Sequence, residues 1–277
     1  MRAFVHRSPM PGLGLSMGIT LTMVTLVVLL PLCALVLRGA GIGPAAFWEV
    51  VGRERTLAAL WLSFRLSLAA ALFNLVFGVV LAWVLARYRF PGRRLLDAAV
   101  DLPFALPTAV AGIALTALYA PNGTLGRIAA EAGIEVAYTP LGIFIALVFV
   151  GLPFVARTVQ PVVEELEREV EEVSACLGAT RLTTLRRVVL PTLLPAALTG
   201  FALSLARAVG EYGSVIFIAG NIPMLTEIAP LLIVIRLEEY DYAGAAAIGL
   251  AMLAIAFGLL LLINLVQLWT RRRIGLV

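Results

Sequence analysis

The chain has 277 residues and a formal net charge of +4, and 61% of its residues are hydrophobic while 14% are charged. Soluble domains contain about a quarter charged residues and under half apolar ones, so the composition excludes an ordinary soluble domain. It predicts an all-α protein that crosses a membrane several times.

Residue types that are rare or absent narrow the function further. All basic residues are arginine, and without lysine the chain has neither a P-loop for ATP nor a Schiff-base site. His6 is the single histidine, and Cys33 and Cys176 are the two cysteines. Metal centres need clusters of such ligands, so we predict no metal and no cofactor held by this chain.

Six apolar stretches are each long enough to cross a membrane as a helix, which takes about 20 residues. They cover residues 15–37, 57–86, 102–120, 139–157, 192–220 and 244–269. The first is uncharged from Met10 to Leu37, which is longer than the roughly 7–15-residue core of a signal peptide. It therefore predicts a retained membrane anchor, and residues 1–277 are predicted to form one membrane domain because no polar linker divides them.

Arginine positions predict the orientation, since cytoplasmic connections are enriched in basic residues. With both termini in the cytoplasm, most of the 21 arginines lie on the inner side, including the groups at 87–94, 157–187 and 271–273. Arg65 and Arg207 then fall within predicted spans. The acidic segment between the fourth and fifth spans is predicted to be cytoplasmic.

Two prolines stand at the start of the third predicted span, in the stretch DLPFALPTAVAG. Pro103 and Pro107 interrupt the hydrogen-bond ladder, which a membrane tolerates only where protein or water satisfies the freed carbonyls. The sequence predicts a kinked helix and leaves open whether it borders a pathway or only packs.

The acidic segment shows the period of an amphipathic helix. Apolar residues recur at spacings of three and four, at Val163, Leu166, Val170, Val173 and Leu177. Six glutamates between Glu164 and Glu172 occupy the other faces. A helix lying on anionic lipid would carry arginines there instead, so the glutamates favour a protein partner.

A small-residue patch and a second helix are predicted to follow. Ala175, Gly178 and Ala179 would allow close backbone approach by a partner. Thr180 is a suitable N-cap for a helix that continues to Val189. Pro191 is predicted to mark the entry to the fifth span.

The fifth span carries charges, which usually face a cavity or a partner when they lie inside a membrane. Arg207 and Glu211 are four residues apart and could form an intrahelical ion pair or contact a substrate directly. Ser204 and Ser214 could supply further hydrogen-bond donors. Arg65, near the outer end of the second span, either reaches the membrane surface or belongs to the same pathway.

The segment from Glu172 to Pro191 resembles the cytoplasmic motif of permease subunits of ATP-binding-cassette importers, E-A-A, three residues, Gly, nine residues, I-x-L-P. Here Glu172-Val173-Ser174, Gly178 and Val188-Val189-Leu190-Pro191 match the spacing, with Val173, Ser174 and Val188 departing from it. The resemblance implies that residues 163–190 form a helix-turn-helix that docks on a separate ATPase dimer. The residues it assigns to this coupling are Glu172, Ala175, Gly178, Ala179, Leu190 and Pro191. ATP would then be bound by the partner, and this chain would not itself be an enzyme.

Three further stretches, residues 86–112, 151–166 and 207–223, are similar to the T-type permease subunits of bacterial sulfate/thiosulfate importers. The resemblance covers a permease core at 57–270 and implies a type I importer permease of the bacterial inner membrane. It implies a heterodimer with a related permease and an extracytoplasmic sulfate-binding protein. The alternative is a molybdate or tungstate permease, which would be a homodimer.

The remaining partner predictions concern the outer face and the surroundings. The outer segment from Asn221 to Tyr242 is acidic and is expected to be a solvated loop, or else a contact for the binding protein or the second permease. The lipid bilayer surrounds the spans, and no nucleic acid is expected to bind.

Overall fold

The computed structural model describes residues 13–274, with the side chains of Leu13, Arg168 and 269–274 left aside. Every regular element in this range is helical, as predicted. The helices are α1 (Leu13–Val24), α2 (Leu30–Gly41), α3 (Pro44–Val51), α4 (Glu54–Arg87), α5 (Arg93–Ala105), α6 (Thr108–Tyr119), α7 (Thr124–Glu131), α8 (Pro140–Glu165), α9 (Arg168–Cys176), α10 (Arg181–Thr184), α11 (Leu190–Val209), α12 (Val215–Ile218), α13 (Ala229–Glu238) and α14 (Tyr242–Ile274), with π-helical turns at Thr25–Leu29 and Leu185–Val189. His6 and the N-terminal arginines lie outside the described residues.

Five helical segments are long and apolar enough to cross a membrane. They are Gly14–Gly41, Glu54–Arg87, Pro140–Glu165, Arg181–Val209 and Tyr242–Leu268. The bent pair α5 and α6 gives a sixth span only if the two helices are counted as one. The multi-pass character is therefore confirmed, and the number six depends on this pair.

The third predicted span is a bend instead of one straight helix. The axes of α5 and α6 differ by 117°. Leu106, between them, has an extended backbone with φ −88° and ψ 134°. A residue before proline is pushed out of the helical region by the proline ring, so Pro107 accounts for the break that the sequence predicted as a kink.

The centre of the bundle is built from α4, α8 and α11, which contact one another along their lengths. Their facing positions are small, so the backbones approach closely. A Cβ atom on Gly200 would lie 2.8 Å from the Cα of Val155, and one on Gly78 would lie 2.8 Å from the Cβ of Val155. α1 and α2 lie on the outside of this bundle, where Gly39 packs on Leu250 of α14.

The acidic segment is not one helix from Val163 to Leu177, and that prediction is wrong. Val163 is fully buried at the end of α8. Leu166 and Glu167 then have extended backbones, and α9 starts in a new direction. The spacing of apolar residues continues unchanged across the break. The sequence pattern therefore gave no sign that the chain changes direction there.

The second predicted helix of this segment joins the fifth span without a break. The hydroxyl of Thr180 accepts a hydrogen bond from the amide of Thr183 at 3.3 Å, which confirms the predicted cap. The chain then continues through the π-helical turn, in which the amide of Leu190 bonds to the carbonyl of Leu185. Pro191 therefore lies inside a continuous helix, where the wider turn accommodates its missing N–H.

The fifth span ends earlier than predicted, and the segment after it is packed. α11 stops at Val209, and residue 220 lies beyond the short helix α12. The region predicted as a solvated loop contains α13, whose residues Ala229, Leu231 and Leu232 are buried against α4 and α14. The solvated-loop prediction is wrong for this part of the segment.

Candidate functional site

The charged pair predicted in the fifth span is present, but its geometry differs from an intrahelical pair. Arg207 lies in the last turn of α11, and Glu211 follows the helix end at Gly210. The Arg207 Nη1 and Glu211 Oε2 atoms are 2.5 Å apart. The amide and hydroxyl of Ser214 also donate to Glu211 Oε1, both at 2.9 Å. These contacts satisfy a carboxylate whose side chain is 1% exposed, as a buried charge requires.

Arg207 keeps part of its charge accessible. Its side chain is 34% exposed within the chain, although it lies in a segment apolar enough to span a membrane. An arginine at such a position faces a cavity or a partner in preference to lipid. A guanidinium has five N–H donors, so the face turned away from Glu211 can bind an anion.

The bend between α5 and α6 packs directly on this cluster. A Cβ atom on Gly213 would collide with the hydroxyl of Thr108, and one on Gly112 would collide with the carbonyl of Ser214. Thr108 begins α6, whose first amides carry partial positive charge. The structure thus brings Thr108, Ser214 and Glu211 together at two interruptions of helical hydrogen bonding. One is the bend between α5 and α6, and the other is the end of α11.

A small cavity lies behind Glu211. Ser63 and Ser67 of α4, both buried, line it together with Glu211 and apolar residues. Its volume is about 10 Å³, which is near the minimum for one water molecule. Arg65, between these serines, is exposed on the opposite face of α4, so the structure does not bring it to Arg207.

Ser204 has a different position from the other predicted pathway residues. It is buried and accepts a hydrogen bond from Asn74 Nδ2 at 3.2 Å. A Cβ atom on Gly151 would lie 2.5 Å from the Ser204 hydroxyl and 2.6 Å from Asn74 Nδ2. Ser204 therefore joins α4, α8 and α11. Asn74 was missed from sequence, although an amide inside an apolar run was the available signal.

A second ion pair, also missed, holds the segment before α13. Arg55 donates to both carboxylate oxygens of Glu227, at 2.8 and 2.6 Å. The Glu227 side chain is 1% exposed. The amide of Ala229 donates to Ser63 at 2.8 Å. These bonds attach the segment to the first turns of α4, and their separation of 172 residues along the chain left no local signal.

At the opposite end of the bundle, an arginine attaches α5 to α8. Arg157 donates to Asp101 with two bonds of 2.7 Å, and to the carboxylate and carbonyl of Asp97 at 2.6 and 2.8 Å. Gln160 accepts a further bond at 2.7 Å. One guanidinium therefore links two carboxylates of α5 to α8 at this end, in addition to the apolar packing of Val100 on Leu85.

The α9–α10 segment projects from the same end and presents apolar side chains to its surroundings. Leu177 is 82% exposed, and Val173 and Leu182 are also exposed. Gly178 has φ +81°, which side chains rarely adopt, and no atom lies within 4 Å of the position that a Cβ atom would occupy there. The glycine is thus required by the turn and leaves an open surface beside it.

The residues that the motif assigns to coupling are divided between this surface and the helix that follows. Glu172, Ala175 and Gly178 are exposed, and Ala179 is half-buried. Leu190 is exposed further along, and Pro191 is half-buried beside it. The first four therefore form one accessible patch, whereas the last two belong to the continuous helix.

Residues 74–276 match the family described as the binding-protein-dependent transport system inner membrane component. This chain belongs to that family. It is 50% identical over 274 residues, 99% of each chain, to the sulfate transport system permease protein CysT of Salmonella typhimurium (strain LT2). The same identity and coverage hold for the sulfate transport system permease protein CysT of Escherichia coli (strain K12). The resemblance predicted from sequence is confirmed.

A solved structure shows the fold. The bacterial alginate ABC transporter in complex with an alginate pentasaccharide-bound periplasmic protein contains a chain with a TM-score of 0.74 and 17% identity. The match covers 94% of this chain and 93% of that one. The chain is thus a multi-pass membrane component with the fold of an importer permease.

Most of the candidate site lies within the residues of this chain that match the family. The matched range begins at Asn74 and includes the bend at Pro107, the α9–α10 segment and the Arg207–Glu211 pair. Arg55 and Arg65 precede it. The polar residues of α4 that contact α13 therefore lie outside the matched range.

Proposed function

We propose that this chain is a permease subunit of an ATP-driven importer and forms, with a second permease, the path of sulfate across the bacterial inner membrane. The observation that carries the proposal is the 50% identity over 99% of both chains to two sulfate permeases. Thiosulfate, which has a similar shape and the same charge, would share the path. The same observation makes the molybdate or tungstate alternative less favoured.

The pathway would pass the exposed face of Arg207. Sulfate is a strongly hydrated dianion, and a buried glutamate alone would repel it. Because Glu211 is bonded to Arg207 and Ser214, the pair is close to neutral and the remaining guanidinium donors stay available. The positive end of α6 at Thr108 adds to this attraction. A near-neutral site suits transport, since an ion that binds tightly does not leave.

The α9–α10 segment would be the docking surface of a separate ATPase dimer. Leu177 and Val173 are exposed outside the spanning helices, and Leu182 is exposed in the first turn of the spanning segment that follows. Exposed apolar groups of this kind mark a protein contact. Glu172 and Ala175 border them. In this arrangement ATP is bound by the partner, and both termini are cytoplasmic.

Two further partners complete the proposed complex. A related permease would form a heterodimer with this chain, since Arg207 needs a second surface to enclose the pathway. An extracytoplasmic sulfate-binding protein would deliver the anion at the end of the bundle that carries Arg55 and α13. The likeness to the alginate transporter, which was solved with a periplasmic protein, supports this kind of assembly.

Uptake of radiolabelled sulfate tests the substrate. The chain is expressed with its neighbouring transporter subunits in cells that lack sulfate permeases. Uptake should require the chain, decrease with excess thiosulfate and persist with excess molybdate. Arg207→Gln should reduce uptake at least 10-fold, as expected for a lost charge-assisted bond of about 1.5–3 kcal/mol, whereas exposed Arg127→Gln serves as the matched control. Chain-dependent molybdate accumulation without sulfate uptake would overturn the proposal.

Co-purification with the ATPase tests the docking surface. Leu177→Glu places a charge at the centre of the apolar patch and should abolish retention of the ATPase. Ile128→Glu, at an exposed apolar position on α7, should leave retention unchanged. Full retention with Leu177→Glu would show that the ATPase binds elsewhere.

A further inference from the structure

Two residues, Leu166 and Glu167, connect the docking segment to the membrane core, and we call them the hinge. The long helix α8 ends at Glu165, and the hinge residues have extended backbones with ψ 109° and 134°. α9 begins immediately after them. Its contacts within the chain are mainly with α10. The angle between α8 and α9 is therefore not set by helix packing.

One side chain from a different helix bonds both to the hinge and to the helix that follows it. Arg87 is the last residue of α4, and its Nη2 atom donates to the carbonyl of Leu166 at 2.8 Å and to Glu171 Oε1 at 2.9 Å. One nitrogen thus bonds to the hinge itself and to α9 beyond it. Among the described side chains, Arg87–Glu171 is the one ion pair that joins α9 to a membrane helix.

The guanidinium is held in place from the membrane side. Arg87 is 12% exposed, and its guanidinium carbon lies 5.3 Å from the ring centroid of Trp83, one turn earlier on α4. Such stacking is favourable for a cation. Its Nε atom is buried without a hydrogen-bond partner among the described residues.

We infer that Arg87 is a positioning residue that sets the angle of the docking helix α9 and transmits its movement to α4. The inference rests on the proposed docking of an ATPase on α9–α10. When the ATPase moves α9, the bond to Glu171 moves Arg87 and with it the end of α4. α4 contacts both α8 and α11, and α11 carries Arg207. Motion at the hinge thereby reaches the proposed pathway through a charge-assisted contact as well as through the backbone.

Coupling in the complete transporter tests this role. The complex with its partner permease, ATPase and binding protein is reconstituted in proteoliposomes, and sulfate uptake is measured per ATP hydrolysed. Arg87→Gln and Glu171→Gln should each lower this ratio on the order of 10-fold, because both remove the charge-assisted bond between the two side chains, while ATPase co-purification is unchanged. The double variant should be no worse than Arg87→Gln alone, and Arg87→Lys should recover part of the ratio.

The matched control is Arg89→Gln, an exposed arginine two residues further on, which should behave as wild type. Because the Glu171 side chain is partly exposed, Glu171→Gln should fold. This variant alone tests the inference if Arg87→Gln fails to assemble. A wild-type ratio in Glu171→Gln would overturn the inference. So would a loss of ATPase co-purification in both single variants, since that would indicate a docking role instead.

A second measurement does not depend on the transported ion. Spin labels are attached to native Cys176 at the end of α9 and to Leu95→Cys on α5, with Cys33→Ala as background. Because Cys176 borders the docking surface, the labels are measured in the permease pair without its ATPase. Arg87→Gln should broaden the distance distribution between the labels there, and an unchanged distribution would overturn the inference. If the wild-type complex does not transport sulfate, the proposed function fails while this measurement still reports on the hinge.

Discussion

The contact between Gly151, Asn74 and Ser204 gives the most direct prediction from packing. A methyl group added at Gly151 would lie 2.5 Å from the Ser204 hydroxyl and 2.6 Å from Asn74 Nδ2, whereas ordinary contacts are 3.4–4 Å. Gly151→Ala must therefore move neighbouring atoms by about 1 Å, and such overpacking costs about 1–3 kcal/mol. Loss of the Asn74–Ser204 bond adds about 0.6 kcal/mol, the mean for bonds inside a membrane.

The intrinsic preference of helices for alanine offsets up to about 1 kcal/mol of this cost, which leaves a net destabilisation of about 1–3 kcal/mol. Thermal unfolding of the purified complex in detergent measures it, with an expected decrease in melting temperature of roughly 2–4 °C per kcal/mol. Gly258→Ala is the matched control, because nothing lies within 4 Å of that position. It should melt at or above the wild-type temperature.

A second substitution tests the assigned cause. Ser204→Ala removes the closest atom, leaving the Ser204 Cβ at 3.7 Å, and it frees the Asn74 side chain to rotate. Gly151→Ala with Ser204→Ala should therefore be more stable than the sum of the two single effects predicts, because contacting residues are not additive. Wild-type melting of Gly151→Ala, or strict additivity in the double variant, would refute the packing argument.

Three further predictions concern the ends of the bundle. Gly178→Ala strains a backbone at φ +81° by roughly 1–2 kcal/mol and should weaken ATPase co-purification. Gly133→Ala, at φ +74° and with the same pattern of terminal hydrogen bonds, carries a comparable strain and should not affect it. Glu227→Gln removes the charge that holds Arg55 and should accelerate tryptic cleavage in the 219–241 segment; an unchanged rate would show that the pair does not hold the segment. Arg157→Gln should lower the melting temperature by only a few degrees. The aspartate partners of Arg157 are 40% and 51% exposed, and exposed ion pairs contribute about 1 kcal/mol or less. A decrease above about 10 °C would contradict this prediction.

The features predicted correctly from sequence depend on neighbouring residues. A run of about 20 apolar residues specifies a span without knowledge of its partners. The cap at Thr180 involves residues three apart, and the Arg207–Glu211 pair involves residues four apart. The bend before α6 follows from the steric effect of Pro107 on one residue.

The features that sequence reasoning missed depend on packing between distant segments. Asn74 and Ser204 are 130 residues apart, and Arg55 and Glu227 are 172 apart. Either polar residue alone is compatible with an exposed position. α13 was missed because its length, Ala229–Glu238, is too short for a span and its flanks are acidic. Its burial follows from contacts with α4 and α14 that no local pattern contains.

Two interruptions of helical hydrogen bonding support the position proposed for the pathway. Inside a membrane, an irregular backbone is tolerated only where protein or a water-filled cavity satisfies its polar groups. Here the bend before α6 and the break after α11 lie against each other through Gly112 and Ser214, and Glu211 accepts the amide of Ser214. Most backbone groups of the long helices α4 and α8 are bonded within those helices, so an anion that must exchange its hydration shell for protein donors would find them at these breaks, beside Arg207. α4 then supports the breaks from behind with Ser63 and Ser67, which is why movement transmitted to α4 from the hinge would act on the pathway directly.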